Sequence, residues 1–352
     1  MLSAREFYYS EIAPDEAGKN YQQAHQSAIY DEKSSKEDLS NIVGHVPNLS
    51  NDILIESYIE NFIASTSGTF SDSISRMFVA KRKDFLANAG AIHAGGRFEG
   101  DLVFFYVGLS DLCFQYAILF GEFINLCALR QELPDDSEDV LLSMAGVVKG
   151  LNKLANAQLE WGINGNEIRL KDETLIYPSD HLADNAARIA TLMDRVVLGH
   201  EIAHHLLGHT GRDATTSELL EIRIAPFLNQ GLSAKHRKEI EADLLGLALP
   251  LWSTFGDSSD QAEFEVALGA LLFYTVISHL KCSMFLESES HPSAATRYNH
   301  VLKFIRTHFK LPVLDSLIDD IERFQALLFA TQDRGLGLMQ KHRLSTNGER
   351  NA

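Results

Sequence analysis

Hydrophobic positions along the chain recur mostly at three- and four-residue intervals, the spacing of one helix face. Ile53, Leu54, Ile55, Tyr58, Ile59, Phe62 and Ile63 form one such stripe in an otherwise polar N-terminal stretch broken by Gly, Ser and Asn. From Asp101 to Arg130 the chain is rich in Phe, Leu and Tyr, predicting a strand or helix start followed by a core helix. Pro134-Asp135-Asp136-Ser137 predicts a turn and helix N-cap, with the helix running toward Trp161. Ser179-Asp180 opens a long amphipathic helix carrying Ile189, Leu192, Met193, Val196 and Val197, with a stop at Gly208. Ser233 caps a helix ending around Pro250, Pro292 suits the first turn of another, and Val313–Phe329 supplies a last one. Asn164-Gly165 between Ile163 and Ile168 predicts a hairpin turn, hence a small sheet. Ala89–Gly100, with four glycines, reads as a loop and as a boundary. The fold class expected is mainly α with a small β-sheet (α+β). The divisions expected are an N-terminal module over 1–94, a main domain over 95–330 and a flexible tail over 331–352.

Composition narrows the function classes. The 352 residues carry 31 basic and 48 acidic side chains, a net charge of −17 that repels nucleic acid and anionic membrane. Lys81-Arg82-Lys83 reads as a solvated helix face. Hydrophobic residues at 45% and charged residues at 22% exclude wholesale disorder. Cys113, Cys127 and Cys282 form no CxxC pair, so reduced thiols are expected. Arg5 and Glu6 stand where a signal peptide needs an apolar core. Asp111 and Glu122 interrupt Leu102–Leu129, and Val266–Leu280 falls short of the roughly 20 residues a spanning helix needs. Both read as buried helices in a soluble, cytoplasmic protein with no membrane or nucleic-acid partner.

The chemistry sits in His200-Glu201-Ile202-Ala203-His204, on the long helix. Positions four apart share a face, about 40° apart around the axis, so both imidazoles can reach one Zn2+ ion. Glu201, next to the first ligand, can serve as general base toward a zinc-bound water. A hydrolytic zinc site takes three protein ligands. Leu207 and Thr210 occupy the places where metzincins carry Gly and His, so that class is excluded. His209 reads as an outer contact or loop anchor. On the next helix Glu239 and Asp243 share a face while Glu241 points roughly 200° away. Glu239 is the expected third ligand, and Asp243 the expected acceptor for the free N–H of a ligating histidine.

With these residues the chain resembles gluzincin metallopeptidases, HExxH with ExxAD, and the prenyl-protease and HtpX-type group through His291-Pro292-Ser293-Ala294-Ala295-Thr296-Arg297. It resembles more closely the late-gene-exclusion (Lit-type) peptidases of phage-exclusion systems, through HEIAHHLLGH at 200–209, KEIEADLLGLAL at 238–249 and HPSAATRYNHVL at 291–302. The resemblance implies a gluzincin-like zincin core built around the HExxH helix and a zinc endopeptidase domain over 95–330. It implies His291 and Arg297 at the site, holding the motif or stabilising the developing oxyanion. It further implies a phage-defence role: cleavage of a host protein, with translation elongation factor Tu the family's target, once a phage-derived activator is sensed. EIEADLLGLALP also resembles the ImmA/IrrE-type regulatory peptidases that cut a repressor. Outside hydrolysis, the alternatives are a zinc-stabilised binding module without turnover and a metal-free helical interaction protein.

Overall fold

The computed structural model describes residues 2–16, 48–66, 68–82, 87–163, 180–211, 213–214, 224–228, 231–254, 258–280, 288–289 and 291–349. The expected Asn164-Gly165 turn, Lys83 and Cys282 lie outside them. The strands are β1 (Leu2–Ser3), β2 (Met77–Arg82), β3 (Ala89–Ala94) and β4 (Phe98–Tyr106). The helices are α1 (Ala4–Phe7), α2 (Ile53–Ser65), α3 (Thr69–Ile74), α4 (Val107–Glu132) and α5 (Glu138–Ile163). They continue with α6 (Asp180–Leu206), α7 (Ala234–Ala248), α8 (Asp260–Leu280), α9 (Ala294–His308) and α10 (Leu314–Glu349). The fold is mainly helical with a small mixed sheet, as the sequence pattern predicts. Its two compact units interleave along the chain: Met1–Asp84, Asn88–Val107 and Val197–Ser258 in one, Phe85–Ala87, Gly108–Val196 and Ser259–Ala352 in the other.

The first unit is organised around β4, which pairs in parallel with β1 and β2 and antiparallel with β3. Leu102 to Phe105 are all apolar and buried, the pattern of a strand covered on both faces. Asp101 faces Met77 across one ladder and His93 across the other. The Ala89–Gly100 stretch is therefore not a loop: it holds β3 and a turn, with Gly96 at φ 74 in the left-handed region. Its Ala, Gly and His content has weak strand propensity, and pairing with β4 overrides that. Lys81-Arg82 likewise belongs to a strand rather than a solvated helix face. Lys81 is 6% exposed with its ammonium 3.6 Å from Asp52, and Arg82 stacks over Tyr106. Asp52 also caps α2, accepting from the Leu54 and Ile55 N–H groups.

The second unit is helical. Phe120 of α4 packs edge-on against Phe324 of α10, and the Tyr116 hydroxyl is hydrogen-bonded to His279 Nδ1 of α8 at 2.6 Å. Helices α4 and α8 are long and apolar enough to cross a membrane, yet 56% and 78% of their most apolar windows are buried within the protein. Cys113 is buried in α4 and Cys127 half-buried, both as free thiols. Ser293 is the N-cap of α9, with its hydroxyl accepting from Thr296 N–H, so Pro292 lies just outside the helix rather than in its first turn. Helix α10 continues to Glu349, through the residues whose polar composition reads as a tail.

Candidate metal centre

Two helix segments of the first unit build the site, and two glycines let them meet. A Cβ on Gly199 would stand 2.6 Å from the Gly246 carbonyl oxygen, and one on Gly246 would stand 2.6 Å from the Gly199 carbonyl carbon and the His200 nitrogen. At that spacing only hydrogen fits, so α6 and α7 touch backbone to backbone. The approach sets His200 and His204 opposite Glu239 and Asp243, which α7 presents one turn apart on one face.

The distances converge on one point. His200 Nε2 lies 3.1 Å from His204 Nε2, and the two Glu239 oxygens lie 3.7 Å and 3.6 Å from these nitrogens. All three donor groups fall within 4.8 Å of one another, a group that could hold a metal ion. Ligand atoms about 2.0–2.1 Å from a tetrahedral ion stand about 3.3–3.4 Å apart, a spacing that the 3.1, 3.6 and 3.7 Å separations here bracket. Proton bookkeeping agrees. His200 Nδ1 lies 2.8 Å from Asp243 Oδ1, an oxygen of a side chain with no solvent exposure. With the His200 proton on Nδ1, beside that carboxylate, its Nε2 lone pair turns toward His204 and Glu239. Lone pairs from two imidazoles and a carboxylate then aim at one volume, which a cation would satisfy. The residues present fit a divalent ion.

A second set of contacts surrounds this group. His204 Nδ1 lies 3.0 Å from His209 Nδ1, and His209 Nε2 lies 3.3 Å from Glu241 Oε2. His205, next in sequence to His204, is fully buried with Nε2 3.2 Å from the Leu102 carbonyl and Nδ1 3.4 Å from Asp101 Oδ1. The same Asp101 oxygen accepts from His93 Nδ1 at 2.8 Å. Asp101 thus joins helix α6 to β3, whose other edge carries no ladder among the described residues. Glu201 is half-buried beside His200 on α6.

No protein-family model, curated protein or solved structure matches the chain. The site therefore rests on its own geometry.

His200, His204, Glu239, Asp243 and His209 come together in the first unit. His291 and Arg297 belong to the second. There His291 closes a turn with Ser288, its N–H donating to the serine hydroxyl at 2.9 Å. Arg297 is 5% exposed, with its guanidinium 5.3 Å from the centre of the Tyr274 ring. Three residues of the site escape sequence reasoning: Asp101, His205 and Glu241. The doubled histidine 204–205 is the one local signal for the second of them. A lone Asp in an apolar strand is a signal for the first.

Proposed function

We propose that the protein is a zinc-dependent endopeptidase with a gluzincin-like core, His200, His204 and Glu239 being the zinc ligands and Glu201 the general base. The observation that carries the reading is the convergence of two imidazole nitrogens and a carboxylate at ligand spacing, with Glu201 adjoining the first ligand on the same helix. A zinc ion bound there supplies Lewis-acid polarisation of a carbonyl and a lowered pKa for water. The chain's own residues do the rest. Glu201 takes the proton of the attacking water and returns it to the leaving amine. Asp243 holds His200 in the tautomer that leaves Nε2 free. Strand β3 offers a backbone edge on which an extended peptide can pair, which suits a protein substrate.

The motif resemblance takes the proposal one step further, to a Lit-type phage-exclusion peptidase acting on elongation factor Tu under control of a phage component. The test is metal analysis of the purified protein together with fragment masses after incubation with elongation factor Tu. Glu201→Gln should retain one zinc per chain and lose cleavage by about 1,000-fold or more, the combined loss of base and acid roles at roughly 10²–10⁴-fold each. Absence of stoichiometric zinc, or cleavage by the variant at the wild-type rate, overturns the peptidase reading. Zinc with Glu201-dependent cleavage of some other protein in a whole-cell extract overturns only the Lit-type step.

A further inference from the structure

The two histidines of the metal group are supported differently. His200 leans directly on the Asp243 carboxylate. His204 Nδ1 lies against another imidazole, that of His209, and that imidazole meets Glu241. The local sequence explains how His209 gets there. Helix α6 ends in a Schellman turn: Gly208 takes φ 70, its N–H donates to the His205 carbonyl at 3.0 Å, and the His209 N–H donates to the His204 carbonyl at 2.9 Å. That turn folds the chain back over the helix end and lays the His209 ring against His204, with centroids 5.1 Å apart. On α7, Glu241 is two residues past Glu239, so it points away from the metal group and toward His209 instead.

We propose that His209 and Glu241 are positioning residues of the metal site, a one-directional hydrogen-bond relay that fixes the tautomer and ring orientation of His204. This rests on the metal reading of the site. The direction follows from the ends. The His204 Nε2 lone pair faces the metal group, so its proton is on Nδ1 and donates to His209 Nδ1. His209 must then carry its own proton on Nε2, where the Glu241 carboxylate accepts it. Every link has one donor and one acceptor, and the negative charge at the far end raises the basicity of the ligand nitrogen. Glu241 is 24% exposed and His209 7%, so the relay runs from the buried site to the protein surface.

Zinc affinity by competition with a chromophoric chelator, and long-range ¹H–¹⁵N spectra of the zinc-loaded wild type, test the proposal. His209→Leu should lower zinc affinity by about 10–100-fold, the usual effect of removing an outer partner. Glu241→Gln should lower it by a smaller factor, because an amide oxygen still accepts but without charge. The double variant should bind no more weakly than His209→Leu alone, since Glu241 acts only through His209; two independent structural effects would instead add. In the wild-type spectra His209 should be the neutral Nε2–H tautomer. An Nδ1–H tautomer or an imidazolium at His209 overturns the relay even if the variants do not fold, as do single variants within twofold of wild type. A wild type that binds no zinc overturns the metal reading, and the relay with it.

Discussion

Helix α6 makes two crossings at which glycine lets backbones touch, one in each unit. Near its C-terminal end Gly199 meets Gly246 of α7; nearer its start Leu192 meets Gly269 of α8, where a Cβ would stand 2.7 Å from the Leu192 carbonyl oxygen. The steric device is the same, and its surroundings are not. The first crossing is flanked by His200, Glu239 and Asp243, the second by Met193, Leu268 and Ala270, all buried and apolar. Close approach alone is therefore only packing. It becomes a site where lone-pair donors are staged beside it on both helices.

Alanine at each crossing separates the two roles. In both places the neighbour is backbone and cannot rotate aside, so Gly246→Ala and Gly269→Ala should each cost on the order of 3 kcal/mol, the upper end of overpacking penalties. Urea denaturation reads that cost. Zinc titration reads the difference: Gly246→Ala pushes α7 away from His200 and should weaken binding about tenfold or more, while Gly269→Ala should leave it within twofold. Equal loss of zinc in both variants would mean that the crossings are not independent.

The contrast also marks what the sequence alone reveals. His200, Glu201 and His204 are legible because helix periodicity places them without knowledge of any partner. Glu239 and Asp243 are legible for the same reason, one helix later. Glu241 is read as pointing away from the face shared by Glu239 and Asp243, and it does, yet its contact with His209 needs the Schellman turn at Gly208 and the depth of the α6–α7 crossing, which are relations between elements. Asp101 is hidden in the same way: its partners His93 and His205 come from an antiparallel neighbour and a helix more than a hundred residues on. Strand β2 escapes because Met77 to Lys81 are buried at every position and so lack the alternation that marks a half-exposed strand. Short polar-looking segments that a sheet recruits by pairing carry little signal of their own.

Buried imidazoles sharpen the comparison. In the first unit they face carboxylates; in the second, His279 is surrounded by apolar side chains, Tyr116 and the Leu328 backbone, and burial pushes its pKa down to about 4. The folded protein thus keeps His279 neutral where the unfolded chain, with an ordinary value near 6.5, takes up a proton. Stability falls as pH drops below about 6.5 and stops falling from this source below about 4. Between pH 6.5 and pH 5 the loss should be about 1.6 kcal/mol, the slope approaching about 1.4 kcal/mol per pH unit only between the two pKa values. His279→Gln should remove that component from the pH dependence of urea midpoints, the other histidines cancelling in the difference from wild type. An unchanged slope would show that the ring is solvated in the folded state.

The finest comparison is between two helix caps of equal geometry. Ser233 at α7 and Ser293 at α9 each accept a backbone N–H three residues on at 3.1 Å. Replacing either by Ala should cost about 1 kcal/mol of stability. Of the two helices, α7 is the one that carries a member of the candidate metal group, Glu239, near its start. Glu239 sits in the second turn after Ser233, so a first turn loosened by Ser233→Ala must be re-ordered when zinc binds. About 1 kcal/mol of that cost then appears as a roughly fivefold weaker affinity. Ser293→Ala should leave affinity unchanged. If Ser233→Ala destabilises the protein but binds zinc as tightly as wild type, α7 is held from Ile240 onward by its buried face alone, and the carboxylate of Glu239 is pre-positioned by packing rather than by its cap.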